Sequence, residues 1–454
     1  MSIEIHPNAV EGFNSSGEAI LGELVEFPVV GKSFDPERHK VVLPPGYEKY
    51  FSIEQMAWEG KLETGETILL LFHTRQGAVG LRPENYEQLK ELSRKIGRTQ
   101  ALRTTVSAKR CLEALSKWLT LRRKGDASTG LCEYLTSYFT PLVQEREVWI
   151  PLAATYIEGE VEIGNVTVKS VSASMCEQFW HKRSQWLLQH IPERMLVEQM
   201  SFEDFRKKVQ GFAACVVRVR AEQDKAREIA YEQAHTAAAF LRCFSPANLS
   251  PLLTSHTLPL GHGNTRSFLY FTMDDSLMQN ILQGIEDTAE WFIDAHQLQR
   301  MKENGLEKIG RMLKKNSRTP FENHLLSALQ LYGKSCISNE MGDKLLYIVT
   351  ALESLIVKDS NEGLIQNVSD RLAFVIAEEG SERQKVITNY RETYALRSKF
   401  VHHGQSVDDQ EKVSEFMANA RQLFLTAIAQ SDKFATKDDF IRAIEKVKYG
   451  GGTF

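Results

Sequence analysis

From Thr319 onward the chain presents a run of amphipathic segments, each with a readable cap, and little but a helical bundle can accommodate them. Thr319-Pro320-Phe321-Glu322 supplies an N-cap, a proline at the first helical position and a glutamate three residues in; Phe321, Leu325, Ala328, Leu329 and Tyr332 then recur as one stripe. Leu345, Ile348, Val349, Leu352, Leu355 and Ile356 repeat the spacing in a second helix, which Asp359-Ser360-Asn361 ends. A third spans 364–377, and a fourth runs from Ser381 to a stop at Gly404. Asp408 with Glu411 caps a fifth, whose Val413, Phe416, Met417, Ala420, Leu423, Phe424, Ala427 and Ile428 form the cleanest stripe in the chain. Thr436 with Asp439 caps a sixth, before a flexible tail of glycines at 450–452. These segments predict an all-α bundle over residues 316–454.

Upstream the pattern changes. Residues 24–30, 50–53 and 67–73 read as short strands broken by Pro44-Pro45-Gly46 and Gly65, and residues 83–139 read as helical. Residues 148–157 and 161–171 suggest a hairpin around Gly159-Glu160, followed by a helix over 174–190, a strand at 217–220 and an alanine-rich helix over 221–243. The expected fold class is therefore α+β, with a mixed lobe over 1–140, a second mixed lobe over 141–315 and the bundle. A chain of 454 residues is long enough for two or three such domains.

Composition narrows the partners. Lys plus Arg number 55 against 59 for Asp plus Glu, so nucleic-acid contact must come from a local patch rather than from overall charge. No apolar run approaches the ~18 residues that span a bilayer, and the N-terminus lacks a secretory h-region, so no membrane association is expected. The six cysteines form no C-x-x-C and no Cys/His cluster at metal-ligand spacing. A reduced, cytoplasmic protein without a bound metal is the simplest expectation.

The end of the fourth helix carries Tyr394-Ala-Leu-Arg397-Ser398-Lys399-Phe-Val-His402-His403-Gly404. An Arg five positions before a His means little alone, since 27 Arg and 12 His predict about 0.7 such pairs by chance. Its setting is more specific: the pair ends a helix, with Ala351-Leu352-Glu353 on another helix and Arg371 on a third. RNA can be cut by its own 2′-hydroxyl, which requires a proton carrier near neutral pH and a fixed cation on the phosphate; His and Arg suit those tasks. At 100° per residue Arg397 and His402 project about 140° apart, so they converge only if the helix ends near His402, if a second protomer closes the site, or both. Glu353 lies beside an apolar stripe, where an unpaired carboxylate is costly, and is expected to pair with Arg371 or Arg397. Tyr390 and Tyr394 share a face with Arg397 and read as core packing.

This arrangement resembles the HEPN superfamily, and its Apea-like branch in particular, whose bundle carries an A-L-E segment, a mid-bundle Arg and a terminal R-S-K-x-x-H-x-G run. The resemblance covers about residues 320–430. It implies a metal-independent endoribonuclease that needs no cofactor, in which Arg and His of an R-x4-6-H motif act from both protomers of a homodimer. The matching positions are Arg397 and His402, with His403 a second candidate; Glu353, Arg371, Ser398 and Lys399 would support them. It also implies a defence or stress role in which the N-terminal part senses a trigger or selects RNA. Many members only bind, so a non-catalytic module for dimerisation and RNA or nucleotide binding is the alternative.

A second feature lies upstream. Residues 94–124 hold ten basic residues against one acid, Glu113. Arg94, Lys95, Arg98, Arg103, Lys109, Arg110, Arg122, Arg123 and Lys124 are candidate RNA-backbone contacts, and a solvated or internally paired face is the competing reading. His181 and His190 near Trp180 and Trp186 read as helix packing, and Gly261-His262-Gly263-Asn264 reads as a turn.

Overall fold

Local signals set most of the helices in the computed structural model, which describes residues 3–27, 59–61, 66–73, 78–190, 201–260, 267–271, 278–282, 290–359, 362–450 and 454. These fall into two units, Met1–Arg146 with Val219–Ile229, and Glu147–Arg218 with Ala230–Phe454. The fold is α+β. Among the described residues no helix is long and apolar enough to cross a membrane.

The first unit contains α1 (Pro7–Gly22), β1 (Val25–Phe27), β2 (Glu59–Lys61), β3 (Thr67–His73), β4 (Ala78–Leu81), α2 (Pro83–Gly97), α3 (Ala108–Lys124) and α4 (Leu131–Phe139). Its antiparallel sheet has the order β1-β4-β3-β2. Helix α1 corrects the expectation of strands alone before residue 82. It is weakly amphipathic, and tertiary packing holds it: a side chain at Gly17 would meet Leu131 and Trp118, and Asn14 Oδ1 accepts the Cys132 N–H at 2.9 Å. The strand expected at 50–53 lies outside the described residues.

The second unit contains most of β5 (Gln144–Ile157), β8 (Phe212–Ala221) and α7 (Gln223–Arg242), whose residues 144–146, 219–221 and 223–229 cluster with the first, together with β6 (Glu160–Ile163), β7 (Val166–Ser170), α5 (Ala173–His190), α6 (Phe202–Val209), β9 (Ser267–Phe271), β10 (Met278–Leu282) and β11 (Trp291–Ile293). There follow α8 (Ala295–Met301), α9 (Glu307–Lys314), α10 (Pro320–Ser335), α11 (Met341–Ile356), α12 (Leu364–Ile376), α13 (Gly380–His403), α14 (Gln410–Gln430) and α15 (Lys437–Gly450). Its larger sheet has the order β11-β5-β8-β7-β6. The hairpin joins β6 to β7 through the two-residue loop Gly164-Asn165, with Gly164 at φ +63°, and not β5 to β6 through Gly159. β5 instead lies between β8 and β11, a pairing that depends on residues far along the chain.

The sequence predicts residues 141–315 and the bundle as separate lobes; apart from 141–146 and 219–229, these residues cluster in one unit. Glycines and one buried cation explain the close packing. A side chain at Gly333 of α10 would strike the Ala239 carbonyl of α7, and one at Gly310 of α9 would strike the Glu162 carbonyl of β6. Arg242, 3% exposed, donates to the Gly333 carbonyl at 2.9 Å and the Thr257 carbonyl at 2.6 Å. In the bundle the reciprocal Thr319–Glu322 cap of α10 and the Thr436–Asp439 cap of α15 form as expected. The cap of α14 shifts by one residue: Asp409 accepts the Lys412 N–H at 3.1 Å, while Asp408 accepts from Ser406. Gly450, expected in the tail, closes α15.

Candidate functional site

Helix α13 is uninterrupted through His403 and stops at Gly404, whose φ of +63° suits a residue without a Cβ. The Gly404 N–H donates to the Phe400 carbonyl at 3.0 Å, which completes the last turn. The helix therefore does not end early enough to turn His402 toward Arg397. On a regular helix the two residues remain about 140° apart and separated by about 7.5 Å along the axis. His402 and His403 are exposed, as is Lys399, and Ser398 is half-buried.

Arg397 is half-buried and leans toward the start of α13, the direction that helical side chains favour. Its guanidinium carbon stands 5.7 Å from the Tyr394 ring centroid, on the face that also carries Tyr390 and Thr393. Across that face lies α11, packed so closely that a side chain at Gly342 would strike the Phe400 ring. Glu353 of α11 lies within reach of the Arg397 charge: burial pushes its carboxyl up, and the guanidinium opposes that rise. Glu353 Oε1, Arg397 Nε, the Tyr390 hydroxyl and Thr393 Oγ1 are all buried without a hydrogen-bond partner among the described residues. Thr393 is not singled out by the sequence, although a threonine three residues after Tyr390 and four before Arg397 marks the polar line of the helix.

Neither cation expected to pair with Glu353 does so: Arg397 forms no ion pair with it among the described residues, and Arg371 takes other partners. It donates to both Glu362 oxygens at 2.6 and 2.9 Å, to Glu445 Oε1 at 3.0 Å and to the Ile356 carbonyl at 2.7 Å. Burial alone would raise the Glu362 carboxyl, but the Arg371 bonds hold it below the usual range. Arg371 thus ties the end of α11 to α12 and α15. Arg371→Ala should destabilise the bundle by about 3–5 kcal/mol, because two carboxylates lose a buried cation. Thermal unfolding measures this, and an unchanged midpoint would refute the bridging role.

The basic stretch lies in the first unit, and much of its charge is met locally. Arg94 pairs with Glu91 at 3.2 Å, Arg122 with Glu18 at 2.6 Å and Arg123 with Glu26 at 2.9 Å. Lys109 and Arg110 flank Glu113, and Arg110 also reaches Glu222 at 3.8 Å and Asp224 at 3.6 Å. Lys124 also has an interaction within the protein. Lys95, Arg98 and Arg103 are exposed with no acidic partner among the described residues. Elsewhere, His181 bonds Gln185 at 2.9 Å and Trp180 packs on Phe202 and Phe205. The His190 and Trp186 side chains and residues 261–264 lie outside the described set.

The six cysteines are unpaired and buried, and burial raises the Cys111 and Cys132 thiols to about 11. Among the described residues no group of three or more His, Cys, Asp or Glu could hold a metal ion. The fold and site define an α+β protein whose helical bundle ends one helix in an Arg/His pair. No protein-family model, curated protein or solved structure matches the chain.

Proposed function

We propose that the protein is a metal-independent endoribonuclease of HEPN type whose active site is completed by a second copy of the chain. The observation that carries this reading is the pair itself: a phosphate-binding cation and an exposed imidazole share the end of one regular helix but project apart. One copy would bring its Arg397 guanidinium to the non-bridging oxygens of a phosphate. The partner copy would bring His402 to the same phosphate. The 2′-oxygen then forms a bond to phosphorus and the bond to the 5′-oxygen breaks, while His402 carries a proton from the first oxygen or to the second. The products are a 2′,3′-cyclic phosphate and a 5′-hydroxyl. The reading extends to a cytoplasmic defence or stress role, with RNA selected through the N-terminal part. Incubating the purified protein with RNA, with and without chelator, tests it.

The alternative is a non-catalytic bundle that dimerises and binds RNA or nucleotides, and the half-burial of Arg397 against Tyr394 favours it. Binding measurements also separate the two halves of the basic stretch. Reversing Lys95, Arg98 and Arg103 to Glu should lower the slope of log K against log salt by about 0.7 for each single-strand phosphate that the protein no longer neutralises. Reversing Arg122 and Arg123 should leave the slope nearly unchanged, since Glu18 and Glu26 already neutralise them. Equal slopes in all three proteins would remove the first set from the RNA path.

A further inference from the structure

A cavity of about 440 Å³ opens in the first unit, where α3 meets the end of α4, the start of β5 and the start of α7. All of its lining residues belong to that unit, and two of them are guanidiniums, Arg110 of α3 and Arg146 of β5. Neighbouring residues anchor the pair. Arg146 donates through Nε to the Ala221 carbonyl at 3.0 Å and through Nη2 to the Leu142 carbonyl at 3.2 Å, while Arg110 Nε stands 3.8 Å from Glu222.

Both guanidiniums keep donors that the fold does not engage. Arg146 is half-buried and held by backbone carbonyls; among the described residues no carboxylate pairs with it and its Nη1 has no partner. Arg110 is met by Glu113 at 2.8 Å and Asp224 at 3.6 Å, yet its Nε is buried without a hydrogen bond. The carboxylate in the lining does not cancel this pair, because Glu222 is turned onto the backbone: it accepts the N–H groups of Ser107, Asp224 and Lys225 at 2.8–3.0 Å. A guanidinium oriented before a ligand arrives, with donors to spare, suits the oxygens of a phosphate.

The rest of the lining differs in character. Tyr138, Pro141 and Leu142 form an apolar wall, and the exposed Ser137 and Gln223 offer a hydroxyl and an amide. Tyr134, stacked at 5.7 Å, and Lys117 Nζ, 5.4 Å from the ring centroid, hold the Tyr138 ring in place. The volume lies in the range of small-molecule sites and exceeds what a lone phosphate fills. From this geometry we infer that the cavity binds a nucleotide, with its phosphate on Arg146 and Arg110, its base against the Tyr138 wall and a polar edge of the base on Gln223. A free nucleotide and the 5′-phosphorylated end of an RNA present the same chemistry. The site owes nothing to the bundle, so it stands whether or not Arg397 and His402 cut RNA.

Calorimetric titration of the full chain with each of the four ribonucleoside 5′-monophosphates, their nucleosides and inorganic phosphate tests the assignment. At least one monophosphate should bind, and its nucleoside should bind about 10–150-fold more weakly, the value of hydrogen bonds to a charged group. Arg146→Ala should lower affinity for the monophosphate over the same range. Because Arg146 also ties backbone segments together, Gln223→Glu serves as a second variant: a carboxylate in the first turn of α7 favours the helix, so the unfolding midpoint should hold while the added charge weakens binding at low salt. Three results overturn the inference: no monophosphate binds, inorganic phosphate binds as tightly as the monophosphate, or affinity is unchanged in both variants. Competition in a His402→Ala chain, which leaves RNA uncut, identifies the source. Displacement of the monophosphate by a short 5′-phosphorylated RNA and not by its 5′-hydroxyl counterpart supports an RNA end as the ligand, and displacement by neither supports a free nucleotide.

Discussion

His402→Ala is expected to lower the rate of RNA cleavage by about 10²–10⁴-fold, the usual contribution of a positioned proton carrier. Arg397→Ala should be comparably severe, because the phosphate loses its fixed cation. Neither change should shift the unfolding midpoint by much, since the His402 ring is exposed and Arg397 Nε has no hydrogen-bond partner to lose. His403→Ala, one residue further around the helix, should cost much less. Cleavage should persist in EDTA and leave 2′,3′-cyclic phosphate ends, both of which chromatography of the fragments can establish. Strict dependence on added magnesium would rule out this chemistry, and greater sensitivity at His403 would shift the motif by one residue.

Mixing two inactive proteins should restore activity. If each site takes Arg397 from one copy and His402 from the other, a mixed dimer of Arg397→Ala and His402→Ala chains holds one intact site and one doubly damaged site. With random exchange half the dimers are mixed, so the mixture should recover about a quarter of the unaltered activity. A site built within one chain predicts no recovery, because every copy then lacks one of the two groups. Light scattering on the same samples supplies the dimer mass, and a single 51.6 kDa chain under conditions where RNA is cut would exclude the shared site.

The bundle is legible in the sequence because its signals are local. The reciprocal bonds of Thr319 and Glu322 span three residues, the Gly404 stop acts within one turn, and the apolar stripe of α14 repeats every three to four residues. Such features depend on backbone geometry that a short segment carries with it. Where two local solutions are nearly equal, the sequence does not decide between them. Asp408 and Asp409 can each cap a helix, and only the folded chain chooses Asp409. Helix α1 is hard to see in the sequence because it is rich in glycine and serine and close packing at Gly17 sustains it.

The Arg397/His402 pair, its 140° divergence and its place at a helix end are in the sequence, since one regular helix fixes all three. The partners of charged residues are not. Arg122 meets Glu18 and Arg123 meets Glu26 about a hundred residues away, and Arg371 meets Glu362 and Glu445 rather than Glu353. Ion pairing depends on distance in space, which chain separation does not encode. The same holds for the position of β5 between β8 and β11, and for the seam that leaves Glu353, Tyr390, Thr393 and Arg397 with orphaned atoms. Sequence alone determined which groups stand on each helix, because helical geometry is local; tertiary structure decided which of them are neutralised, buried or left without a partner, because those properties arise only when distant segments pack.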